Sequence, residues 1–139
     1  MNHSRHHMPC ILENVDGLVM SLIAELRDVL SPKALSRVRI CATEALTNIV
    51  KHARPAAKGR VIEAALHLYP DDVTLEIFDL CGAATFDPRD FATDLSELDP
   101  LSESGRGLGL ILHYADMVEY GPVNGRNRLS LRFQKEPEE

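Results

Sequence analysis

The sequence predicts an α+β domain, a two-layer α/β sandwich whose helices cover one face of a mostly antiparallel mixed sheet. Two observations support this prediction: apolar residues recur at helical spacing in the first third of the chain, and later segments alternate apolar and polar residues. The two long helical segments cover residues 14–30 and 31–53, and the strand-like segments are 61–68, 73–78, 117–120 and 128–133. Clean alternation indicates a sheet that is covered on one face only.

The boundary between the two helices is marked by Ser31-Pro32. We expect Ser31 to cap the second helix and Pro32 to take its first position. This helix should end before Pro55 and carry an apolar stripe made of Leu35, Val38, Ala42, Ala45, Leu46, Ile49 and Ala53. A third helix is predicted from Leu108 to Ala115.

The chain of 139 residues is long enough for one domain with its own core. We expect residues 1–9 to be a disordered N-terminal lead, residues 10–135 to form the domain, and residues 136–139 to be an acidic tail. Periodicity disappears over about 82–104, where Pro and acidic residues are frequent. A long irregular segment inside a compact domain is typical of a lid or binding loop.

Composition excludes several functions. A net charge of −6 argues against a nucleic-acid-binding protein, and no apolar segment is long enough for a membrane span. The three cysteines, Cys10, Cys41 and Cys81, fit neither a disulfide framework nor a zinc motif. We therefore expect a cytoplasmic protein that contacts neither nucleic acid nor membrane.

The second helix carries a polar row beside its apolar stripe. Glu44, Asn48 and His52 recur every four residues, with Lys51 at the edge of the row. The row can be a solvated helix face, but half-burial of such groups is costly without a purpose. Asn48 could offer an oxygen to Mg²⁺, and Glu44 could accept a proton from an attacking hydroxyl.

Two further elements could bind a nucleotide. Gly105, Gly107 and Gly109 form a glycine-rich turn before the third helix, which favours phosphate, although a flexible linker has the same composition. It matches neither the P-loop nor the dinucleotide fingerprint. Asp79 follows a strand and could accept a hydrogen bond from an exocyclic amine such as that of adenine, or simply form a turn.

In this order and spacing, these elements resemble the GHKL ATPase superfamily, and most of all the small bacterial serine-protein kinases that act as anti-sigma factors. The resemblance covers about residues 14–134. EALTNIVKHA resembles their N-box, FDPRD the entry to their lid, and GRGLGLILHYADMVEY their second glycine segment.

The resemblance implies a kinase that uses Mg-ATP, releases ADP and phosphorylates a serine of a STAS-domain anti-anti-sigma protein. Its other partner would be a sigma factor or another switched target, and it would be a homodimer. Asn48 would hold Mg²⁺, Glu44 would be the catalytic base, and Asp79 would bind adenine. The remaining implied ATP-binding residues are Lys51, His52, Gly82, Gly105, Arg106, Gly107, Leu108 and Gly109.

One departure from the family pattern leaves an alternative open. The family's first nucleotide box is commonly D-x-G-x-G, but this chain has Cys81 where a glycine is expected, with Gly82 displaced by one. The alternative is a catalytically inactive partner-binding module on the same fold. A sensor histidine kinase fragment fits less well, because no histidine lies in the first helix.

Overall fold

The computed structural model describes residues 2–52, 61–79, 103–123 and 126–135. The helices are α1 (Val15–Leu26), α2 (Pro32–His52) and α3 (Glu103–Tyr114), and a 3₁₀ turn at Leu12–Asn14 precedes α1. The strands are β1 (Asn2–Pro9), β2 (Val61–Leu68), β3 (Asp72–Asp79), β4 (Met117–Val123) and β5 (Arg126–Gln134).

The five strands form one sheet in the order β1-β2-β3-β5-β4. The four pairings described are all antiparallel. Inward-facing residues of the sheet and the apolar stripes of the helices share one core cluster. The predicted α+β sandwich is therefore confirmed, and its second sheet face carries mostly polar side chains.

Helix α2 is the central element of the core. It begins where the sequence predicts, because the Ser31 hydroxyl accepts a hydrogen bond of 3.1 Å from the backbone N–H of Ala34. The stripe residues that are buried are Val38, Ala42, Ala45, Leu46 and Ile49. This helix packs against both α1 and α3.

The prediction of a disordered lead at residues 1–9 is wrong. Residues 2–9 form β1 and pair with β2 along their whole length. Met8 is buried in the core, while Ser4 and His6 both contact the carboxylate of Glu25 on α1. The segment is too polar to predict as a strand, and its order depends on partners that are distant in sequence.

The predicted start of α3 is also wrong. The helix begins at Glu103 rather than at Leu108 and contains all three glycines of the supposed turn. Glycine lowers helix stability by up to about 1 kcal/mol relative to alanine. Packing of α3 against α2, with Ile111 fully buried, offsets this cost.

Three sequence-based assignments lie outside the described residues: the central part of the lid, the acidic tail and Cys81. Cys10 and Cys41 are free and buried. No helix in the described ranges is long and apolar enough to cross a membrane.

The N-cap of α2 provides a direct test of the helix boundary. We expect Ser31→Ala to lower the free energy of unfolding by about 1 kcal/mol, because the Ala34 N–H loses its acceptor. Urea denaturation monitored by circular dichroism measures this change.

Ser36→Ala is the matched control. The Ser36 hydroxyl is exposed and bonds only to the carbonyl of Pro32 in the same helix, so its loss should cost no more than about 0.5 kcal/mol. Equal losses in both variants would show that Ser31 does not cap α2.

Cys41 tests the contact between α2 and α3. Its thiol lies 3.9 Å from the carbonyl oxygen of Ile111. Burial, together with the smaller effects of the nearby charges of Asp116 and Glu44, raises the pKa of Cys41 from 9.0 to about 12. The folded protein thus holds this proton more tightly than the unfolded chain, so the stability contributed by Cys41 is lost as pH rises from about 9 towards about 12.

We expect Cys41 to resist alkylation by iodoacetamide at about pH 9, where only about one thiol in a thousand would be ionised. Peptide mass spectrometry after a timed reaction measures the modified fraction, and the same reaction in urea serves as control. Rapid modification of Cys41 in the native protein would show that the α2–α3 contact opens readily.

Candidate functional site

The candidate site is built on the polar row of α2. Glu44 is half-buried, Asn48 is only 4% exposed and Lys51 is exposed. Glu44 and Asn48 are one helical turn apart, about 6 Å along the axis. Because Asn48 is buried and Glu44 is half-buried, this polar row of α2 is not a solvated helix face; only Lys51, at its end, is exposed.

Asn48 is one of two buried polar residues in the described part of the chain, and the other is Glu63. The Asn48 amide nitrogen Nδ2 has no hydrogen-bond partner there. An unsatisfied buried donor costs about 1–3 kcal/mol. Such a side chain, placed one turn from a carboxylate, is typical of a residue whose partner is a ligand.

The contact between α2 and α3 places a second element beside this row. Cys41, one turn before Ala45, faces the carbonyl of Ile111 on α3. The charge of Glu44 acts on the Cys41 thiol, so the carboxylate lies near the surface where the two helices meet. The helix that contains the glycine segment therefore packs beside the helix that carries Glu44 and Asn48.

The glycine segment is helical, which changes how it could bind an anion. The N–H groups of the N-cap and of the first three helical residues have no partner within a helix, and in α3 these helical residues are 103–105. Gly105 is among them, whereas Arg106, Gly107 and Gly109 lie further into the helix. In this conformation the first turn of α3 supplies the free donors and the positive end of the helix dipole.

Asp79 is the last residue of β3, where the sequence places the end of that strand. The register sets it opposite Asn127 of β5. The pairing thus brings the backbone of Asn127 next to Asp79.

Several predicted site residues are only partly described. Only the backbone is described for the residues His52, Asp79, Gly105, Arg106, Gly107 and Leu108, and Gly82 and Cys81 lie outside the described residues altogether. Their roles stay predictions. Glu44, Asn48, Lys51 and the backbone of α3 are the parts of the predicted site that the structure describes.

The sequence analysis missed a polar cluster on the other face of the sheet. His67 and Glu76, on β2 and β3, contact each other through Nε2 and Oε1, and Arg128 of β5 donates a hydrogen bond of 2.9 Å to Glu76 Oε2. These residues occupy the polar positions of alternating strands, and that pattern by itself indicates only a solvent-facing surface.

The residues of the α2 row fit a magnesium nucleotide better than a metal ion alone. Among the described residues, no group of three or more His, Cys, Asp or Glu side chains could hold a metal. Mg²⁺ needs only one or two protein ligands when phosphate oxygens and water supply the others. The buried amide of Asn48 suits such a site, because it carries both a carbonyl oxygen that could bind the ion and an unpaired N–H donor, Nδ2, for a ligand oxygen.

Comparison with known proteins identifies the family. Residues 11–133 match the histidine kinase-like ATPase domain. The chain is also 32% identical over 115 residues to the serine/threonine-protein kinase BtrW of Bordetella bronchiseptica, a match that covers 81% of this chain and 80% of that protein. Together with the sandwich fold, these matches show that the chain belongs to the histidine kinase-like (GHKL) ATPase family, in its branch of anti-sigma-type serine-protein kinases.

Proposed function

We propose that this protein is an ATP-dependent serine-protein kinase that phosphorylates a STAS-domain antagonist in a partner-switching pathway. The observation that carries the proposal is the buried, unpartnered amide of Asn48, one turn from the half-buried carboxylate of Glu44. The similarity to a protein named serine/threonine-protein kinase supports the same reaction. In this pathway the kinase would act as a homodimer that also holds a sigma factor or another switched target.

Each residue of the row would have one task. Asn48 would hold Mg²⁺, which supplies charge neutralisation at the phosphates when bound. Glu44 would orient the serine hydroxyl of the protein substrate and accept its proton. Lys51, exposed at the end of the row, would contact phosphate, and Asp79 at the end of β3 would accept a hydrogen bond from the adenine amine.

Glu44 distinguishes the kinase from the inactive binding module. A module that only binds a partner has little use for a half-buried carboxylate beside a buried amide, because neither group gains stability from that position. The alternative still has a specific observation in its favour, the cysteine at position 81. Nucleotide binding separates the two functions.

Asn48→Leu should have opposite effects on stability and on nucleotide binding. Without nucleotide, we expect the free energy of unfolding to stay equal or rise by about 1 kcal/mol, because leucine has a similar size and leaves no unsatisfied donor. Mg-dependent ATP binding should weaken by at least about tenfold. Urea denaturation and isothermal titration calorimetry measure the two quantities.

Ser36→Ala, on the exposed side of the same helix, should keep wild-type nucleotide affinity. A large loss of stability in nucleotide-free Asn48→Leu would mean that the amide has a structural task. If the wild-type chain binds neither Mg-ATP nor Mg-ADP at about 1 mM, the kinase is excluded and the partner-binding module remains.

Glu44→Gln should separate binding from chemistry. The amide keeps the size of the side chain but cannot accept the proton, so we expect ATP affinity within about threefold of wild type and phosphotransfer slower by about 10²–10⁴. Transfer of ³²P from labelled ATP to STAS-domain proteins of the same organism measures the rate. An unchanged rate would remove Glu44 from the reaction.

A further inference from the structure

The sheet face opposite the helices contains a groove of about 620 Å³. Its walls come from all five strands and include His3 of β1, His67 of β2, Glu76 of β3 and Arg128 of β5. The proposed kinase reaction uses none of these residues. They form the largest set of mutually contacting polar side chains on this face of the described sheet.

His3 and His67 meet at the edge of this groove. They are directly opposite each other in the pairing of β1 with β2. Their Nδ1 atoms are 2.5 Å apart, and their ring centroids are separated by 4.7 Å. Two imidazole nitrogens at this distance must share a hydrogen, because two facing lone pairs would repel each other.

The surroundings of His67 determine which of its nitrogens is free. Its Nε2 contacts the carboxylate of Glu76, which is itself paired with Arg128. Because an ionised carboxylate only accepts hydrogen bonds, Nε2 of His67 carries the hydrogen. In the neutral ring, Nδ1 of His67 is therefore left with its lone pair facing His3.

This arrangement matches that of a metal-binding histidine. Such residues usually donate their second N–H to a carboxylate, which fixes the tautomer and makes the coordinating nitrogen more basic. Glu76 holds His67 in this way, and Arg128 in turn holds Glu76. His3 supplies a second imidazole at the same point.

We propose that His3 and His67 form a binding site for one transition-metal ion that prefers imidazole, such as Zn²⁺. The ion would replace the shared proton, with water in the remaining positions. No third His, Cys, Asp or Glu side chain among the described residues converges on this point, so the site is open towards the groove.

The geometry requires only a small adjustment. With Zn–N bonds of about 2.0–2.1 Å, two nitrogens on a tetrahedral ion are roughly 3.4 Å apart. The two rings must therefore separate by about 1 Å. His3 is exposed and lies on an edge strand, so it can move without disturbing the core.

Metal binding would hold the N-terminal strand β1 against β2. The two ligands come together only when β1 is paired with β2. A ligand that binds only this paired state stabilises it by mass action. Since Met8 of β1 is buried in the core, the ion would stabilise the fold as a whole.

Titration of the full chain with Zn²⁺ tests the proposal. We expect wild type to bind one equivalent and to gain about 9 °C in Tm at a Zn²⁺ concentration of about 100 times Kd. His67→Gln and His3→Gln should each lose both the binding and the gain in Tm. Glu76→Gln should bind about tenfold more weakly, since it acts through His67.

His113→Gln is the matched control, because this exposed histidine lies at the end of α3 and should not affect the titration. His7→Gln is a second control, on β1 itself but paired with Glu63. The proposal is overturned if wild type binds no Zn²⁺ at about 1 mM. Equal binding by His67→Gln would also overturn it, because the ion would then be held by other histidines.

Discussion

The burial of Asn48 on the central helix of the core is the constraint on which the rest of this structure depends. Helix α2 must fill the core with its apolar stripe and also hold a polar amide where water does not reach. Both demands are met by one helix because its two stripes are adjacent around the axis. The apolar stripe anchors the helix so firmly that an unsatisfied donor can be tolerated.

Packing against the anchored helix α2 also explains why α3 stays helical despite its glycines. Three glycines in five positions weaken α3 as an isolated helix. Ile111 of α3 is buried, and its carbonyl oxygen contacts the Cys41 thiol of α2. These contacts hold α3 against α2. The helix therefore exists through packing rather than through propensity, and its first turn presents N–H groups that have no partner within the helix.

Much of the fold could be predicted from the sequence because it follows from local patterns. The Ser31-Pro32 boundary, the stripe of α2 and the alternation in β2, β3 and β5 are each set by nearby residues. The start of α3 could not be predicted, because glycine signals a turn unless tertiary packing overrides it. At the site, spacing predicted that Glu44 and Asn48 share a face, but their unequal burial is set by tertiary packing, which helical spacing does not encode.

Strand β1 shows the limit of local reasoning most clearly. Its outward residues contact β2 through His3 with His67 and through Arg5 and His7 with Glu63, while its inward residues Ser4 and His6 share Glu25 on α1. An edge strand rich in polar and charged side chains resists pairing with other molecules, but for the same reason it cannot be held by apolar burial alone. Its order therefore rests on polar partners in β2 and α1, and these partners exist only in the folded chain. The polar side chains that keep β1 from pairing with other molecules are also the reason why the sequence does not predict a strand there.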